Sequence, residues 1–91
     1  MTDAADEPRT MRVEISLGGP DELELLRGAL LAAKATELGE AHRRGARLSF
    51  GYGSDSARED MNAEIVHSRR RADLLDRLVK ALADAEEATM R

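Results

Sequence analysis

The chain has 91 residues, with 14 basic and 18 acidic side chains, a net charge of −4, no cysteine, and one Phe and one Tyr as its only aromatics. That length allows a single domain with a modest core, because a chain of this size buries only about two thirds of its unfolded surface. Without cysteine there is no disulfide framework and no thiolate metal site. An acidic balance disfavours non-specific nucleic-acid binding, and scarce aromatics disfavour a ligand pocket.

Twelve Arg against two Lys, with one Asn and no Gln, read as a GC-rich coding sequence, bacterial or phage-encoded. Residues 1–10 are acidic, contain Pro8 and lack an apolar stretch. They are expected to form a flexible tail with no export signal. Nowhere do about 18 apolar residues run together, so a cytoplasmic protein with no membrane span is expected. Charge is uneven: residues 1–24 hold seven acids and two bases, residues 25–71 nine bases and six acids, and residues 72–91 three bases and five acids.

Met11 to Leu17 alternates, with Met11, Val13, Ile15 and Leu17 on one side and Arg12, Glu14 and Ser16 on the other. A period of two predicts a half-buried strand over 11–17. Gly18-Gly19-Pro20-Asp21-Glu22 then supplies a turn, a proline suited to a first helical position, and two acids at the positive end of the helix dipole. A helix is predicted over 20–44, with Leu23, Leu26, Leu30, Ala33, Leu38 and Ala41 as its main stripe, widened by Leu25, Ala29 and Ala32. His42, Arg43 and Arg44 suit the last turn, and Gly45 suits the left-handed position after it. Ala46 to Tyr52 alternates again, predicting a second strand over 46–52 with Leu48, Phe50 and Tyr52 on its core face.

After Gly53 come 38 residues without glycine or proline. Ser56-Ala57-Arg58-Glu59 matches a capping box, and a helix over 56–89 follows. Met61, Ile65, Ser68, Ala72, Leu75, Val79 and Leu82 recur at alternating spacings of four and three, with Glu86 and Thr89 continuing the register as polar positions. Leu74, Leu78, Ala81 and Ala85 form an adjacent stripe. The seam suits pairing within the chain or between chains.

The pattern thus predicts an α+β fold, strand-helix-strand-helix, over one domain at 11–91. Two strands alone are marginal, so the small sheet is expected to be completed across a homodimer. The opening, Met11-Arg12-Val13-Glu14-Ile15-Ser16-Leu17 before Pro20-Asp21-Glu22-Leu23, resembles the start of ribbon-helix-helix repressors. The resemblance implies DNA binding, with outward Arg12, Glu14 and Ser16 reading bases. It ends there, because that family has a short first helix where this chain predicts a long one.

Neither a phosphate-cradling loop nor a metal-binding motif is present, and His42 and His67 fall on different elements with no carboxylate ordering around them. Catalytic, cofactor-binding and metal-ligating residues are therefore expected to be none, with no small-molecule substrate. The functional expectation is a non-catalytic homodimeric protein-interaction module, a regulator or adaptor that binds a host protein. Its contact residues are Ile65, Ala72, Leu74, Leu75, Leu78, Val79 and Leu82, and Arg69, Arg70 and Arg71 supply polar or anion contacts. A DNA-binding regulator of ribbon-helix-helix-like type is the alternative, and a small enzyme the second.

Overall fold

Pro20, which fixes its own φ and has no amide hydrogen to lose, opens the first helix behind Gly19. A computed structural model describes residues 9–51 and 53–90. Two helices account for the secondary structure among them: α1 (Pro20–Ser49, 30 residues) and α2 (Asp55–Met90, 36 residues). They lie antiparallel as a hairpin whose longest dimension is 55 Å. A 36-residue helix accounts for that length at about 1.5 Å per residue. The radius of gyration, 17.6 Å, exceeds the ~12 Å of a compact chain of this length.

The α+β expectation is therefore corrected to a helical hairpin, with no strand among the described residues. Met11 to Leu17 takes no regular secondary structure and has no neighbouring strand among the described residues, and its alternate apolar side chains are exposed. A period of two gives a segment the capacity for a strand, whereas a strand also needs a ladder partner for its backbone groups. The second strand, expected over 46–52, is replaced over 46–51 by the last turn of α1 and the turn that follows it. Leu48 lies seven residues after Ala41 on the same helical stripe and is half-buried. Continuing the helix covers its side chain against α2, and that outweighs the local alternation. Phe50, expected in a core, is 77% exposed, and Tyr52 lies outside the described residues.

Both helix boundaries move accordingly. Gly45 is accommodated inside α1, and the left-handed role falls to Gly51, with φ 76°. Its N–H donates to the Leu48 carbonyl, while the Phe50 N–H donates to Ala46. Gly53 also has a positive φ, 92°, so two glycines let the chain reverse between the helices. The cap of α2 is Ser54 instead of Ser56: its Oγ accepts from the Ala57 N–H at 3.2 Å.

The core is the seam between the helices. From α2 it takes Ile65, Ser68 and Ala72, all buried, with Met61, Leu75, Val79, Leu82 and Glu86 half-buried. These are the predicted heptad positions, and they are used within the chain. From α1 it takes Ala41, buried, and Leu23, Leu26 and Leu30, half-buried. The middle of α1 differs from expectation: Ala33 and Leu38 are exposed, and Lys34 and Glu37 occupy the seam positions. Their aliphatic stems cover the seam while their charged ends reach partners on α2.

The face assignment can be tested at adjacent residues, Ile65 (8% exposed) and Val66 (54% exposed). Ile65→Ala is expected to lower unfolding free energy by about 2 kcal/mol or more, and Val66→Ala to change it by less than about 0.5 kcal/mol. Urea melts followed by circular dichroism measure both.

Candidate interaction surface

Ion pairs across the seam fix its direction. Arg27 pairs with Glu86, the Lys34 Nζ lies 2.8 Å from the Asp76 Oδ1, and the Arg71 Nε lies 2.9 Å from the Glu37 Oε2. Partner numbers fall on α2 as they rise on α1, as an antiparallel pair requires. The pairs also label the two sides of the hairpin. With about 100° of turn per residue, Lys34 and Asp76 sit to one side of the seam. Glu37 and Arg71 sit to the other.

This labelling exposes a segregation of charge. Along residues 23–36 of α1 the charged side chains are Glu24, Arg27 and Lys34, and along 72–85 of α2 they are Asp73, Asp76, Arg77, Lys80 and Asp84. The helical repeat turns every one of them toward the Lys34–Asp76 side or the outer face of α2. The opposite flank, bordered by Glu37 and Arg71, carries Ala29 and Ala33 from α1 and Leu74, Leu78, Ala81 and Ala85 from α2. Leu74 is 49% exposed and Leu78 45% exposed. Leu82, half-buried in the seam, joins this flank to the core. The result is an uncharged strip about three turns long across both helices, at the end of the hairpin away from its turn.

Of the seven predicted contact residues, Ile65, Ala72, Leu75, Val79 and Leu82 therefore serve the intrachain seam, and Leu74 and Leu78 face outward beside it. Ala29 and Ala33 were missed as partners of these leucines. They belonged to the broad stripe of the first helix, but only its pairing with α2 shows which edge of that stripe stays uncovered. The predicted arginine trio is dispersed. Arg71 binds Glu37, and its Nη2 donates to the Ser68 Oγ at 3.3 Å, so it belongs to the hairpin. Arg69 and Arg70 are exposed and point to different sides, as consecutive residues on a helix must. His42 and His67 are exposed on opposite flanks.

The other side is a network of paired charges. Asp76 accepts from Lys34 and also lies 2.9 Å from the Lys80 Nζ. The hydrogen bond from Lys34, with that from Lys80 next, lowers its carboxyl from the ordinary 3.8 to about 2. Asp76 in turn raises the Lys80 ammonium above its usual range. Near the turn, the hydrogen bond and charge of Arg43 lower Glu40. Among the described residues, no group of three or more His, Cys, Asp or Glu is placed to hold a metal ion, and no helix is long and apolar enough to cross a membrane. No known protein family, curated protein or solved structure matches the chain.

Asp76 gives the hairpin a defined response to acid. Its folded-state value lies below its unfolded one, so its contribution is complete above pH 3.8 and is lost as pH falls through about 2. Asp76→Asn is expected to flatten the decline in urea midpoint across that window, read against wild type in parallel titrations.

Proposed function

We propose that the chain is a non-catalytic protein-interaction module working as a homodimer, a small regulator or adaptor whose contact surface is the uncharged flank around Leu74 and Leu78. The reading rests on the segregation of charge. An ordinary solvated helix pair distributes charged residues around every exposed face, and this pair keeps them off one flank over the same stretch of both helices. Water gains nothing from Ala29, Ala33, Leu74 and Leu78, whereas a second apolar surface does.

A thin core supports the same reading. Ala41, Ile65 and Ala72 are its buried apolar residues among those described, and a hairpin with so little interior gains stability from any surface laid over its uncovered leucines. The long first helix separates the chain from the ribbon-helix-helix arrangement, and Arg69 and Arg70 do not converge on one groove. A DNA-binding reading finds no comparable support in the fold.

Light scattering of the wild-type chain is expected to return twice its 10.0 kDa mass. Leu74→Glu combined with Leu78→Glu is expected to return the single-chain mass with helicity retained, because neither side chain forms the seam. A wild-type particle of single-chain mass, unchanged by the double substitution, overturns the homodimer.

A further inference from the structure

We propose that two copies dock through the uncharged flank head to tail, in a four-helix bundle where the open end of each hairpin lies over the middle of the other and both turn ends project beyond it. The inference rests on the reading of this flank as a protein contact surface, and adds the occupant and its direction.

The occupant follows from what the flank offers and what the chain lacks. A strip of small and leucine side chains shared by two antiparallel helices is the surface that a second helix pair covers in a four-helix bundle, ridges of one pair lying in the grooves of the other. Because the strip spans both helices of the hairpin, a copy related by a two-fold axis presents the same strip back to it. Each leucine then meets an apolar partner and no charged one, as a self-complementary isologous contact requires.

Direction follows from charge. Residues 9–37 and 72–90, which form the open half, hold ten acidic and six basic side chains. Residues 38–71, which form the turn half, hold seven basic and five acidic ones. Copies side by side in the same direction would set acidic end against acidic end and basic end against basic end. Reversing one of them lays each acidic open end over the middle of the other copy and draws the two basic turn ends apart. Screening at physiological salt confines such effects to about 8 Å, so close neighbours decide. A two-fold axis through the flank near Leu78 carries Glu22, at the start of α1 on this same flank, to the level of Arg44 and Arg71 on the other copy, where it joins the pairs these arginines form with Glu40 and Glu37. The strip also lies off-centre, toward the open end, so the reversed arrangement leaves both turn ends overhanging and keeps the charged residues at the border of the contact.

The arrangement has a length signature. Ser56, exposed at the start of α2, lies 22 residues from Leu78. About 1.5 Å per residue, doubled across the axis, separates the two Ser56 positions by roughly 65 Å head to tail. In a same-direction dimer they would lie within about 30 Å. The chain has no native cysteine, so Ser56→Cys carries a single spin label. Pulsed dipolar spectroscopy of the labelled chain is expected to give the long separation, and Leu74→Glu with Leu78→Glu added is expected to abolish the inter-copy signal. A short separation overturns the head-to-tail arrangement and leaves the contact surface standing. Persistence of the signal in the triple variant overturns the assigned flank. Absence of an inter-copy signal, with a particle of single-chain mass, overturns this inference and the homodimer together.

Discussion

Two long helices exclude water between them only where their backbones come close, and in this hairpin small side chains permit that approach. Ala41 on α1 and Ser68 and Ala72 on α2 are buried, with Ser68 fully so. A serine at such a position carries a hydroxyl that must be satisfied, and Arg71 supplies a donor from one turn further on. The same arginine reaches across to Glu37. The tightest part of the seam is thus tied to the charge on its border, and side chains on either flank take their positions from it.

From that seam the division of labour on the surface follows. Once Leu23, Leu26 and Leu30 meet the stripe of α2, the remaining apolar residues of α1 fall to its sides and back. Leu31 and Leu38, both exposed, fall by the helical repeat on the Lys34–Asp76 side, where the charged residues lie. Ala29 and Ala33 project to the side from which charge is missing, beside Leu74 and Leu78. Ion pairs this exposed are each worth at most about 1 kcal/mol, so the network of the charged flank contributes more to alignment than to stability. The apolar flank is the part of the molecule whose free energy improves most when covered.

The second helix was legible almost residue by residue. Its alternation of four and three named Ile65, Ser68 and Ala72 as interior positions, and even Glu86, read as a polar continuation of the register, proves half-buried against Arg27. The first helix was legible at its start and in part of its stripe, at Leu23, Leu26, Leu30 and Ala41, but not at its middle or its end. Its true stripe passes through Lys34 and Glu37, which a reading of apolar positions skips in favour of Ala33 and Leu38. The two strands failed for different reasons. Met11 to Leu17 has the right alternation without a neighbour to bond, while Ala46 to Tyr52 alternates over too short a span to compete with the burial of Leu48. Gly45 was a plausible helix end, but a glycine inside a packed helix costs only about 1 kcal/mol, and the chain reverses where Gly51 and Gly53 together permit it. The uncovered flank could not be read from either helix alone, since each contributes half of it and the pairing decides which halves meet.

The signs of the cross-seam pairs act as a vernier for the hairpin. Sliding α2 by one heptad in one direction would preserve the spacing of its stripe, yet would bring Lys34 alongside Arg69 and Glu37 alongside Glu64, like against like. Sliding it a heptad the other way would leave Lys34 opposite Ala83 and Glu37 opposite Leu78, each without a charged partner. A stripe that repeats every seven residues tolerates several alignments by itself. Three charges on each helix, in the order plus, plus, minus along α1 and their opposites on α2, reject the neighbouring ones, so the fold acquires a single registration from side chains that hardly strengthen it.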